Sequence, residues 1–210
     1  MALSTITLNL FEDFQETLEW GREALTLAEG RGFRTAEAQA RTNIGWARVA
    51  LGDLAGLEDV EAGLSHAEEV GFLGGLCEYV EAAAEANRLA GRHERALELL
   101  DRGREIYQTT GEAIFEGRGR RVRGMIHVMR GEREMAEAEL SRALEILSAL
   151  GAQVECLTVA TELLRLVRGR KDEPAARQRL ADLYAGFPGG REYRPLRAAE
   201  ALLDETARGS

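Results

Sequence analysis

The sequence predicts an all-α fold, a right-handed α–α superhelix of about four helix-hairpin repeats followed by a C-terminal pair of capping helices. Three observations predict it. Gly52, Gly91, Gly131 and Gly169 each close an apolar run, at intervals of 39, 40 and 38 residues, and Gly32, Gly71, Gly111 and Gly151 form a second ladder spaced 39, 40 and 40. Two interleaved ladders of one period are the signature of a repeated helix–turn–helix unit. Between the glycines, apolar residues return every three or four positions, the spacing of one helix face. The three prolines, Pro174, Pro188 and Pro195, stand near the end, so no helix breaker interrupts the earlier residues.

Taken in order, Met1 to Leu10 resembles the tail of an earlier helix cut to about half length, as in a piece of a longer array. Phe14, Leu18, Ala24, Leu25 and Leu27 then form a stripe that stops at Gly30 to Gly32, and a helix from Phe33 to Leu51 follows. Leu54, Leu57, Val60 and Leu64 lead to a turn at Gly71, then Phe72, Leu76, Val80, Ala83, Ala84 and Leu89. The most regular unit carries Ala96, Leu97, Leu100, Gly103 and Ile106, a stop at Gly111, then Ile114, Phe115, Val122, Met125, Ile126 and Met129. The next repeats it with Ala136, Leu140, Ala143, Leu144, Ile146 and Leu147, Gly151, then Val154, Leu157, Val159, Leu163, Leu164 and Val167. The predicted pairs are residues 12–51, 53–90, 92–130 and 132–168, in helices of about 17–20 residues, each roughly 25–30 Å long. Asp172 is placed as an N-cap with Pro174 in the first turn, in a helix to about Phe187. After the break at Pro188-Gly189-Gly190 a last helix runs to about Ala207, so residues 172–207 cap the stack. The whole, residues 1–210, is expected to be one repeat domain.

Composition bounds the function. Net charge is −9 and hydrophobic content 45%, much of it alanine, with 6% aromatics, which suits close helix packing. An acidic balance argues against non-specific nucleic-acid binding, which draws on phosphate neutralisation. No run approaches the ~18 apolar residues of a membrane span, and Met1-Ala-Leu-Ser-Thr lacks the basic start of a signal peptide, so a cytoplasmic protein is expected. Every basic residue except Lys171 is arginine, as in a GC-rich bacterial genome. Cys77 and Cys156 lie two repeats apart; at roughly 10 Å per repeat they fall outside the ~7 Å that a disulfide allows and read as small buried packers.

Thr42-Asn43-Ile44-Gly45-Trp46-Ala47, followed by Leu51-Gly52-Asp53, resembles the first helix and interhelix turn of the tetratricopeptide repeat family. Gly91 through Leu97, Gly131 through Ala136 and Ala143-Leu144-Glu145-Ile146 resemble its second helix. Small residues at Gly45, Ala84 and Gly124, met by Ala96 and Ala136, allow close approach. The period of about 40 is longer than the family's common 34, the proline after the second helix is missing, and Glu162 replaces a small residue. The long variety resembles arrays in large bacterial signalling and transcriptional regulators. The resemblance implies a superhelix whose concave groove is lined by first helices, here residues 33–51, 72–90, 112–130 and 152–168.

At the repeat period, Trp46, Glu85, Met125 and Leu163 share one level; Gln39, Glu78, Arg118 and a position near Glu155 share another. Thr42, Glu81, Arg121 and Val159 lie between. The groove candidates are Asn43, Trp46, Glu78, Glu81, Glu85, Arg88, Arg118, Arg121 and Met125. They form an acidic strip beside a basic one, within which Arg118, Arg120, Arg121 and Arg123 are the sharpest local feature. Forked arginines suit a carboxylate or phosphate; equally, Glu78 with Arg118 and Glu81 with Arg121 would make an inter-helix ladder worth at most ~1 kcal/mol per exposed pair. Trp46 reads as a stacking platform or as packing.

Catalysis and metal binding have little in their favour. His66, His93 and His127 have no second histidine at helical ligand spacing, no phosphate-loop motif exists, and Gly117-x-Gly119 is followed by Val122 where a dinucleotide fingerprint needs glycine. The predicted function is a non-catalytic interaction module, without cofactor or metal, that binds a protein segment or peptide in its groove. The alternative is a sensor domain for an anionic metabolite. Self-association through an uncapped end, or binding to the rest of its own polypeptide, completes the expected partners; no nucleic acid or membrane is among them.

Overall fold

The computed structural model describes residues 13–71 and 75–208. Among them are ten α-helices and no strand: α1 (Phe14–Glu29), α2 (Arg34–Ala50), α3 (Gly56–Val70), α4 (Leu76–Leu89), α5 (His93–Thr110), α6 (Ala113–Arg130), α7 (Arg133–Ala149), α8 (Gln153–Val167), α9 (Glu173–Ala185) and α10 (Arg194–Arg208). The expected start at Met1 to Leu10 and the role of Phe72 lie outside the described residues. The chain divides into two compact units, Met1–Phe115 and Glu116–Ser210, and the division falls inside α6.

Both glycine ladders mark helix ends, all eight members having positive φ. At Gly52 (φ 93) the Gly52 amide donates to the Val49 carbonyl at 2.9 Å and the Asp53 amide to that of Arg48 at 2.9 Å. These are the two bonds by which a left-handed residue closes a helix and satisfies its last carbonyls. The same pair recurs at Gly91, Gly131 and Gly151. The period is therefore written into the backbone: a residue without Cβ tolerates this conformation most readily.

In the first unit, α2 and α3 form the closest hairpin, and α2 also touches α4, so first helices stack on first helices. Small residues permit the approach: a Cβ on Gly45 would stand 2.5 Å from the Gly56 oxygen and 2.6 Å from both the Val60 nitrogen and its Cγ2. Gly63 likewise packs on Thr42 and the Ala38 carbonyl, while Ala84 and Ala96 are fully buried. In the second unit α8 is packed by α7, α9 and α10. Leu140 and Leu147 of α7, both fully buried, fill the space that Gly124 and Gly117 leave on α6. Burying such a leucine is worth roughly 1.5–3 kcal/mol.

The structure corrects several boundaries. The helices are 13 to 18 residues long, shorter than the sequence spacing suggests. Asp53, Leu54 and Ala55 form a turn, closed by the Gly56 amide on the Asp53 carbonyl at 3.0 Å, so α3 begins at Gly56 instead of residue 53. Gly75, at φ 99, delays α4 to Leu76. Asp172 is not a side-chain cap; instead the Glu173 carboxylate accepts from the Gly169 amide at 2.5 Å. The capping pair is present as α9 and α10, with the α9–α10 loop fastened by Tyr184, which donates to Glu200 at 2.8 Å and accepts from Arg191 at 2.5 Å.

Candidate functional site: the first-helix faces

In the first unit the candidates lie on α2 and α4. Thr42 turns its hydroxyl onto the Ala38 carbonyl at 3.0 Å, which satisfies it within its own helix, and Asn43 beside it is buried. Trp46 is half-buried. Its ring meets Phe14 edge-on, centroids 6.2 Å apart and planes at 61°, a favoured aromatic geometry. Its indole nitrogen is buried without an acceptor.

α4 is buried on nearly all sides, so the acidic strip is not a solvated one. Glu81 and Glu85 are 8% and 5% exposed, and Glu78 is half-buried. A carboxylate at such depth demands a partner, and Arg88 provides one for Glu85 through two donors, Nε at 2.7 Å and Nη2 at 2.9 Å. Arg88 thus holds Glu85 in place. Burial also pushes the Cys77 thiol up to about 11, with the Glu112 carboxylate adding to the shift. The same cause raises the Tyr79 hydroxyl to about 12, Glu78 contributing. Both cysteines are free and buried, as expected for packing residues.

In the second unit the basic strip lies on α6 and is bound to carboxylates on α8. Arg118 donates from Nε at 3.2 Å and Nη2 at 2.7 Å to Glu155 Oε1. Arg121 donates to Glu162 Oε1 at 2.8 Å. The side chains of the first pair are 13% and 13% exposed and those of the second 15% and 10%. Glu155 lies beside the level the period predicts, 37 residues from Arg118. Glu162, instead of Val159, faces Arg121. Arg120 points elsewhere, to Glu116 at 3.1 Å and to Glu139 of α7 at 2.9 Å. Met125 is half-buried on the same helix.

Sequence reading missed a device at the ends of first helices. Residue 48 of α2 is an arginine that binds Asp59 and, at 2.8 Å, Asp53. At the equivalent place in α6, His127 Nδ1 lies 2.5 Å from Glu132. Each ties a helix end to the first residue after the turn glycine. In α4 the residue is Asn87, fully buried, whose amide nitrogen reaches the Ala83 carbonyl at 2.9 Å while its oxygen has no donor. In α8 it is Arg165, which is exposed. Aligning the chain on its glycines and reading residues 48, 87, 127 and 165 together would have shown the series. Among the described residues no group of three His, Cys, Asp or Glu is placed to hold a metal ion, and no helix is long and apolar enough to cross a membrane.

No family model matches the sequence, and no curated protein matches it. Solved structures do. BtubC (BKLC) from P. vanneervenii superposes with a TM-score of 0.57 at 18% identity, over 95% of this chain and 89% of that one. A putative kinesin light chain of Podosopora anserina with nearly identical TPR-like repeats gives 0.53 at 16% identity, over 99% and 95%. A point variant of that same protein gives 0.53 at 16%, over 99% and 94%. These likenesses show the fold: the chain is a TPR-like solenoid of helix hairpins, as the tetratricopeptide resemblance implied.

Proposed function

We propose that the protein is a non-catalytic scaffold that binds a polypeptide segment along its first-helix faces. The supporting observation is the pair of ion pairs on the second unit, Arg118–Glu155 and Arg121–Glu162. They place donors and acceptors of both signs side by side, in orientations fixed by partial burial. An extended chain presents alternating donors and acceptors of its own, and pre-oriented groups bind it at a smaller ordering cost. The candidates from Asn43 to Met125 are assigned to this role as lining and orienting groups. An intracellular, bacterial signalling context is part of the same proposal, motivated by the long repeat period.

The anionic-metabolite alternative loses its motivation at the same place. The forked donors that would take a carboxylate or phosphate are already engaged by Glu155 and Glu162, so a small anion has to displace a tethered one.

A displayed library of random peptides tests the proposal. The parent chain should enrich a family of sequences, and the exchanged double variant Arg118→Glu with Glu155→Arg should fail to hold them while melting within a few degrees of the parent. The exchange is needed because Arg118→Glu alone would set two carboxylates against each other and confuse unfolding with lost binding. Enrichment that survives the exchange would remove the assignment to this face. A melting point raised by anionic metabolites, with no peptide enriched, would favour the sensor.

A further inference from the structure

We draw no further inference here: the strongest candidate, the flank of α1 on which Trp20 and Leu27 are exposed beside the half-buried Ala24, is an apolar face, and nothing in the structure shows what covers it.

Discussion

Replacing Gly45 by alanine tests whether the α2–α3 hairpin depends on missing side chains. The new Cβ would lie 2.5 Å from the Gly56 oxygen, 2.6 Å from the Val60 nitrogen and 2.6 Å from Val60 Cγ2. Carbon contacts normally settle near 3.5–4 Å, so one helix must retreat by roughly 1 Å. Two of the three obstacles are backbone atoms and cannot rotate away. The overpacking cost should therefore sit near the upper end of the usual range, about 3 kcal/mol. Alanine returns roughly 1 kcal/mol of helix propensity, which leaves a net loss of about 2 kcal/mol. For a chain of this size that is a fall in Tm of roughly 4–8 °C. Gly103→Ala is the control: its Cβ meets only Val80, with Cγ1 nearest at 3.2 Å, a single side-chain methyl. There the propensity gain should roughly balance the contact, leaving Tm within ~2 °C of the parent or above it. Thermal melts followed by circular dichroism read both. A Gly45→Ala chain as stable as its parent would refute the idea that close approach holds this hairpin.

The remaining predictions concern charge and buried polar groups. Arg118→Glu alone should cost about 3 kcal/mol, as expected when one member of a largely buried pair is removed, whereas adding Glu155→Arg should restore most of it; denaturant midpoints that do not recover would show that the pair is not the relevant contact. Cys77 provides a pH dependence. An ordinary thiol titrates near 8.5 and the folded one at about 11, so the protonated buried thiol contributes stability that is fully present below the unfolded value. That contribution is lost as pH rises through the folded value. Stability should fall between roughly pH 9 and 11 more steeply in the parent than in Cys77→Ala, and parallel profiles would count against the assignment. Asn87→Asp removes the donor that reaches Ala83 and adds a desolvated carboxylate at a fully buried position. It should destabilise strongly at pH 8 and less at pH 5, where the buried group is protonated; equal losses at the two pH values would contradict this.

What the sequence disclosed and what it withheld follow from range. The turn glycines were legible because their requirement is local: each is dictated by the helix it ends, and eight copies at one period make the pattern unmistakable. Gly45 and Gly124 were legible for the same reason, each interrupting an apolar stripe where only packing explains it. Gly56 and Gly63 carry the same signal, two glycines one heptad apart within a helical pattern. The depth of Glu81 and Glu85 was not legible. Acids at helical spacing along α4, Glu78, Glu81 and Glu85, read as a solvated face until it is known that the helix has neighbours on nearly every side.

Glu162 marks the limit. In isolation an acid at a small-residue position looks like decay of the repeat at the end of the array. Its partner, Arg121, lies 41 residues upstream, on the preceding first helix, whereas the equivalent Gly45 and Gly124 approach the helix that follows them; the acid adds an ion pair between first helices. Arg118 with Glu155, 37 residues apart, works in the same way. The two separations bracket the repeat period, because side chains on stacked helices reach forward or back by about half a turn to meet. A strict period therefore finds the helices but places Val159, not Glu162, opposite Arg121. Departures from a repeat are best searched for complementary residues within two or three positions of one full period. Searched downstream, that rule pairs Arg118 with Glu155 and Arg121 with Glu162 from the sequence alone.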